Sequence, residues 1–472
     1  MKILLTGATG YIAQRLLPAL LKDGHEVVCC VRDRRRFNSR KFQGERVQII
    51  EVNFLDRKTL DQIPGDIDAA YYLIHSMATA DEDFEDLERT SVYNFRTRIE
   101  RTSAKQVIYL SGIVNEQNLS KHLVSRKKVE EILATGSFNL TTLRAGIIVG
   151  SGSASFEIIR DLVEKLPVMI APKWLATRSQ PIAIANVLEF LKGILLNEAT
   201  YNKSFDIGGP DILTYKEMLL TFSRVRNLKR RIYTYPIMTT RISSYWLYYV
   251  TSTSYTLAKN LVESMKVEML CNRNDLAEML GIRLIPYEEA IRRAFDKIEQ
   301  HEVVSSWTDA LTSHILDRGI SKLIEVPKLG CFTHNTEMKI NDAEKTLKNI
   351  WSIGGETGWY YADWLWELRG FMDRMVGGVG LRRGRKNNLE ITPGEALDFW
   401  RVLLASREDK RLLLYAEMKL PGEAWLEFNI LDDIASLTAT FRPLGLWGRL
   451  YWYSLMPFHF FIFKGMLRKI SV

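Results

Sequence analysis

An α/β chain is predicted: a doubly wound parallel-sheet domain, then an α+β domain with an antiparallel sheet and a long C-terminal helix. Three observations predict it. Strand and helix signals alternate through residues 1–150, a pattern that builds a parallel sheet covered on both faces. Lys2 to Leu5 form a short apolar run that breaks into Thr6-Gly7-Ala8-Thr9-Gly10 and resumes with helical periodicity from Ile12 to Lys22. After about residue 300 the pattern changes to long alternating segments, and nine of the eleven tryptophans lie there.

The elements follow in order. Strands are expected at 2–6, 26–32, 47–52, 69–73, 106–111 and 139–145, each a β-branched or apolar run bounded by polar or turn residues. Between them, 83–103 reads as a long polar helix and 119–135 as another that ends at Gly136, while 156–166 is helix-like and leads into Pro167. A mixed region runs to about 300, with Phe205 to Pro210 as a late strand and turn returning to the first domain. Segments 399–405, 411–418, 424–431 and 435–441 read as an antiparallel meander, followed by one apolar helix from about 445 to 470. The expected domains are 1–300, with a substrate subregion at 151–300, and 301–472.

Composition narrows the partners. The net charge of +8 is modest for this length and is spread over Arg34-Arg35-Arg36, Lys229-Arg230-Arg231 and Arg382 to Lys386. These runs lack the interleaved aromatics of a stacking platform, so no nucleic acid is expected. Four cysteines, Cys29, Cys30, Cys271 and Cys331, show no metal-ligand spacing, which fits a reducing, cytoplasmic setting and no metal. The N-terminus runs directly into the first strand, so no signal peptide is read. The apolar stretch 450–463 contains Pro457 and His459 and falls short of the roughly 20 residues a span requires. It reads as a core helix or as peripheral contact with a membrane surface.

The glycine turn carries the chemistry. A strand, a tight glycine turn and a helix N-terminus form a cradle for a dinucleotide's pyrophosphate, so Gly7, Ala8, Thr9, Gly10, Tyr11 and Ile12 are the first candidate cofactor contacts. The second strand ends at Arg32, where an acidic residue would bind the 2′-hydroxyl of NAD and a cation accommodates the 2′-phosphate of NADP. NADP is therefore expected, with NAD as the alternative. The third strand leads into Asn53 and Phe54, with Asn53 or Asp56 placed for the adenine amino group, and the fourth into Leu73, Ile74 and His75 beside the ribose.

The ordered set Thr6 to Ala13, Tyr109-Leu110-Ser111-Gly112 and Leu143 to Gly150 resembles the short-chain dehydrogenase/reductase superfamily, nearest its atypical, NmrA-like and extended members with a Rossmann domain. The resemblance covers about residues 1–300. It implies a serine after the fifth strand, met by Ser111, and a tyrosine and lysine four apart on one helix. Here His122 stands where the tyrosine belongs and Arg126 where the lysine belongs. An arginine holds a ribose and a positive field but does not relay a proton. The catalytic candidates are thus Ser111, His122 and Arg126, and an NADP-dependent oxidoreductase competes with a non-catalytic redox sensor and with a nucleotide-sugar epimerase or dehydratase.

Residues 330–472 resemble the uncharacterised domain fused behind some bacterial atypical members, itself similar to helix-grip START and polyketide-cyclase-like folds. That resemblance implies an apolar cavity between sheet and helix for a quinone, lipid or polyketide-like ketone. The aromatic segment Tyr245 to Val250 adds apolar surface, and Glu417, Glu423 and Glu427 are expected to face solvent. The oligomeric state is left open.

Overall fold

A computed structural model of the chain describes residues 1–32, 34, 37, 42, 45–74, 84–113, 121–235, 262–272, 274–299, 326, 331–376, 378–380, 390–443 and 445–471. The side chains of a few helical residues, His122 among them, lie outside the description, as do His75 and the segment 245–250. The described residues divide into two compact units, 1–299 and 326–471.

The first unit is built on a parallel sheet of seven strands: β1 (Lys2–Leu5), β2 (Glu26–Val31), β3 (Val47–Glu51), β4 (Ala69–Tyr72), β5 (Gln106–Gly112), β6 (Asn139–Ala145) and β7 (Lys203–Ile207). Their spatial order is β7-β6-β5-β4-β1-β2-β3. Because side chains alternate along a strand, Leu5, Cys29, Tyr71 and Ile108 bury on one face while Leu4, Cys30, Tyr72 and Tyr109 bury on the other. Helix α1 (Ala13–Lys22) covers the first face with Leu16, Leu17 and Leu20. Helices α2 (Phe84–Ile99) and α3 (Lys121–Ala134) cover the second with Val92, Phe95, Val129 and Leu133. Burying each such side chain stabilises the fold by about 1.5–3 kcal/mol.

Helices α4 (Ala154–Lys165), α5 (Ile184–Gly193), α6 (Tyr215–Val225) and α7 (Tyr287–Glu299) complete the unit. Three short strand pairs join them: 148–149 with 182–183, 178–179 with 213–214, and 168–172 with 231–235. Helix α6 starts where it does because Thr214 and Glu217 form a reciprocal capping box, Thr214 Oγ1 accepting from the Glu217 amide at 3.2 Å and the Glu217 carboxylate accepting from the Thr214 amide at 2.8 Å.

The second unit is an antiparallel sheet with helices. Its strands are β8 (Phe332–Lys339), β9 (Ala396–Leu397), β10 (Trp400–Ser406), β11 (Arg411–Ala416), β12 (Gly422–Leu431) and β13 (Ile434–Pro443), in the order β8-β13-β12-β11-β10-β9. Helices α8 (Ala343–Ile350) and α9 (Asp363–Met375) precede β9, and α10 (Gly445–Ile470) lies across β8 and β13. The meander and the terminal helix agree with the sequence reading, whereas β8, α8 and α9 were not anticipated. Strand β8 alternates half-buried and exposed positions through Thr333, Asn335 and Glu337, so it carries no apolar run to announce it.

Aromatic rings fill this core. Trp359 stacks on Trp366 with centroids 4.8 Å apart and donates from its indole nitrogen to Asp398 Oδ2 at 2.7 Å. Trp452 of α10 lies parallel over the paired rings of Phe332 and Phe441 at 5.8 and 5.7 Å. Glu417 corrects an expectation. It does not face solvent but is fully buried with Arg401, whose Nε and Nη2 donate to its two carboxylate oxygens at 2.9 and 3.0 Å. Arg401 also donates to the Gly394 carbonyl at 2.8 Å, so the buried cation is held from two sides.

Candidate functional site

Beyond the carboxyl ends of β1 and β4 the strand order reverses direction, and a crevice opens there in a doubly wound sheet. Thr6 fixes its walls. Its amide and its hydroxyl both donate to the Tyr71 carbonyl, at 3.1 and 3.0 Å, and the hydroxyl accepts from the Leu73 amide at 3.1 Å. Gly7 follows with φ +62°, a left-handed conformation, and a Cβ on it would stand 2.8 Å from the Leu73 carbonyl oxygen. The Gly10 amide closes the turn on the Gly7 carbonyl at 2.7 Å, and the Ala8 amide reaches Cys30 O at 3.4 Å, tying the turn to the end of β2.

Helix α1 begins after Ile12 with no side-chain cap. Among the described residues nothing accepts from the amides of Thr9, Ile12 and Ala13, so these donors and the positive end of the helix dipole remain for an anion. Tyr11 is placed differently from its neighbours. Arg15 lies 4.0 Å above its ring, and burial pushes the phenol up to about 12 against the Arg15 charge. A Cβ at Gly150 would come within 2.6 Å of the Tyr11 hydroxyl, which accounts for glycine at the end of the Leu143 to Gly150 motif.

Arg32 follows β2 and is exposed. Surrounding protein removes enough water to lower its pKa below the ordinary arginine value, with Tyr72 acting in the opposite sense, yet it keeps its charge. Among the described residues no carboxylate pairs with it. Asn53 is exposed, and its Oδ1 accepts from the Leu55 amide at 3.1 Å in a local turn, leaving the side-chain amide as the group free to donate. Phe54 is a core residue, turned from the crevice by its packing: its ring meets Phe95 at 5.8 Å and its carbonyl accepts from Asn94 at 2.7 Å. Leu73 brings its backbone against Gly7.

Ser111, buried at the end of β5, and Arg126 on α3 come together around a residue the sequence reading did not single out, Tyr109. The Tyr109 hydroxyl donates to the Arg126 carbonyl at 3.4 Å. Burial pushes its phenol up to about 12, while the Arg126 charge and the Ser111 hydroxyl pull it the other way. The signal was available, since residues 109 and 111 share a face of one strand. Behind them Ser125 donates to the buried Glu88 carboxylate. Helix α3 is held against β6 by the Glu130–Arg144 pair at 2.6 and 3.1 Å, which raises the Arg144 pKa. Arg126 is therefore on a fixed support.

The crevice fits a dinucleotide: a side chain at Gly7 would fill the cradle, and among the described residues the amides of Thr9, Ile12 and Ala13 and the Arg32 guanidinium have no partner. Residues 7–163 match the NAD(P)H-binding family model. Residues 331–466 match a second family, described as a protein of unknown function (DUF2867). The curated protein divinyl chlorophyllide a 8-vinyl-reductase, chloroplastic, of Arabidopsis thaliana is 23% identical over 224 residues, which are 44% of this chain and 53% of that protein. The chain thus spans about half the length of that relative.

Among solved structures, triphenylmethane reductase from Citrobacter sp. aligns with a TM-score of 0.52 and 16% identity, over 63% of this chain and all of that one. A nucleoside-diphosphate-sugar epimerase from Staphylococcus aureus aligns with a TM-score of 0.50 and 14% identity, over 62% of this chain and all of that one. These likenesses establish the fold of the first unit, a doubly wound Rossmann-like domain. Among the described residues no helix is long and apolar enough to cross a membrane, and no group of metal-ligating side chains gathers.

Proposed function

We propose that the first unit binds NADP(H) and reduces an apolar carbonyl, enone or quinone-like substrate. The observation that carries the nucleotide is Arg32, an exposed cation at the end of β2 that no described carboxylate neutralises, beside a glycine cradle with free amides. A planar guanidinium binds a 2′-phosphate with two parallel hydrogen bonds and has no such partner in a 2′-hydroxyl. The triphenylmethane reductase fold neighbour was solved with NADP(H), and the curated relative is also named a reductase, which supports reduction over epimerisation.

Bound NADPH supplies a hydride. The chain's own residues then have defined tasks. The turn from Gly7 to Gly10 and the start of α1 hold the pyrophosphate, and the Leu73 backbone borders the ribose. Arg126 supplies a permanent positive charge and orients what lies above it, without passing a proton. The proton that balances hydride transfer comes from the Ser111 hydroxyl, from His122 or from water. The helix laid across an antiparallel sheet in the second unit supports the resemblance to helix-grip folds, and the space between them is filled by Trp452, Phe332 and Phe441.

Titration with NADPH and NADH, followed by turnover with quinones and ketones, tests this reading. NADPH is expected to bind at least about tenfold tighter than NADH, a difference of about 1.4 kcal/mol. Arg32→Asp is expected to remove or reverse that preference. Unchanged selectivity in Arg32→Asp would refute the role of Arg32, and tight NADPH binding without oxidation by any acceptor would favour a redox sensor.

A further inference from the structure

The second unit carries an outward apolar surface unlike any other among the described residues. On α9 the exposed residues Trp364, Leu368, Phe371, Met372 and Met375 recur at helical spacing, while Trp366, Gly370 and Asp373 face inward. On α10, Trp447, Leu450, Phe458 and Phe461 are exposed on the side opposite Trp452, His459 and Phe463, which meet the sheet. The two helices are neighbours: Tyr361 and Phe461 rings are 5.2 Å apart, and Arg369 and Asp373 of α9 act on the Tyr451 phenol of α10. Elsewhere among the described residues, large exposed apolar side chains occur singly or in small groups, as at Leu55, Ile212 and Met279. Scattered apolar residues are ordinary, whereas a continuous patch of this composition marks a contact surface.

Charge selects the occupant. Helix α10 contains Arg449, Lys464, Arg468 and Lys469 and not one acidic residue in 26 positions. All four are exposed, and among the described residues none is paired with a carboxylate. The exposed acids of this face, Asp363 and Glu367, are on α9, so the cations stand together on α10, and a symmetric contact of α10 with α10 of a second copy would oppose like charges. An anionic bilayer instead meets both features, with phosphate headgroups for the cations and the acyl boundary for tryptophan, phenylalanine and leucine.

We propose that the α9–α10 face docks on an anionic lipid surface, lying in the interface without spanning it. The inference is independent of the nucleotide reading. The test is co-sedimentation of the full chain with vesicles of phosphatidylcholine alone and of phosphatidylcholine mixed with phosphatidylglycerol. Binding is expected on the mixed vesicles, falling with added salt. Lys464→Glu with Arg468→Glu, both on the exposed side, is expected to weaken it by about tenfold or more. Phe458→Ser with Phe461→Ser is expected to abolish binding while circular dichroism stays unchanged. No binding, equal binding to neutral and anionic vesicles, or insensitivity to both double variants would overturn the proposal. So would a dimer in sedimentation that Phe461→Ser dissociates, which would make this face a contact between copies.

Discussion

Gly7→Ala separates a cofactor cradle from a turn of structural use, because the chain supplies its own control. Gly7 and Gly24 both have positive φ, +62° and +83°. An alanine in that left-handed region costs roughly 1–2 kcal/mol at either position. Their surroundings differ. A Cβ at Gly24 meets nothing within 4 Å, whereas one at Gly7 stands 2.8 Å from the Leu73 carbonyl oxygen and 3.2 Å from its carbon. That carbonyl is not free to retreat, since the Leu73 amide is hydrogen-bonded to Thr6 and Thr6 to Tyr71. The turn must move instead, and with it the amides that face the crevice. Gly24→Ala is therefore expected to lower the melting temperature of the first unit by a few degrees, about 2–4 °C per kcal/mol, and to leave NADPH affinity intact. Gly7→Ala is expected to lose at least about tenfold in affinity, or about 1.4 kcal/mol, beyond a similar stability loss. Fluorescence titration with NADPH and a thermal melt read the two effects separately. Wild-type affinity in Gly7→Ala would refute the argument that this turn holds the phosphates.

Three further outcomes are expected. Arg401→Met leaves the buried Glu417 carboxylate without its partner and should destabilise the second unit by about 3–5 kcal/mol in urea unfolding, while Arg401→Met with Glu417→Leu recovers much of the loss; equal losses in single and double variants would show that the pair itself is not the cause. His459 is held neutral by burial and by the neighbouring His334, its pKa lowered to about 4. The unfolded chain binds that proton nearer pH 6.5, so stability should fall as pH drops from about 6.5 to about 4, by at most about 3 kcal/mol, and His459→Phe should flatten the slope. Tyr109→Phe keeps the ring and removes the hydroxyl between Ser111 and Arg126; turnover is expected to fall more than NADPH affinity, and a change confined to affinity would place Tyr109 with the nucleotide instead.

Legibility differed along the chain for physical reasons. The strands of the first sheet were readable because burial on both faces makes them nearly continuous apolar runs, as in Val27 to Val31, and the glycine turn was readable because its backbone conformation restricts the residue type. The C-terminal helix was readable from its length and from Gly445 to Ile470 lacking any acidic break. Strand β8 escaped because one of its faces is wet, and α9 because apolar residues on opposite sides give it no single stripe. Glu417 was misread because alternation along a strand reports a face, not what covers that face; Arg401 sixteen residues earlier is adjacent only through strand pairing. Phe54 shows the same limit at the site, where its ring packs on Phe95.

What joins these observations is the division of labour around Arg126. In the helix that resembles the tyrosine–lysine element of active reductases, the cation is retained and made permanent, and its helix is anchored through Glu130 and Arg144 to the strand beside the site. A guanidinium on an anchored helix suits nucleotide binding and a positive field and does not suit proton relay. Tyr109 is a weak proton donor, because burial raises its phenol to about 12 and its hydroxyl is engaged with the Arg126 carbonyl. In the proposed reduction, proton delivery rests on Ser111, His122 or water, and an apolar substrate whose anion after hydride transfer is delocalised, a phenolate-type hydroquinone anion or an enolate, makes the least demand on that step. Quinones and conjugated enones meet this condition better than simple ketones, whose developing alkoxide needs a proton as the hydride arrives. Turnover with a quinone but not with an isolated ketone of similar size is the outcome this site predicts, and the reverse order would refute it.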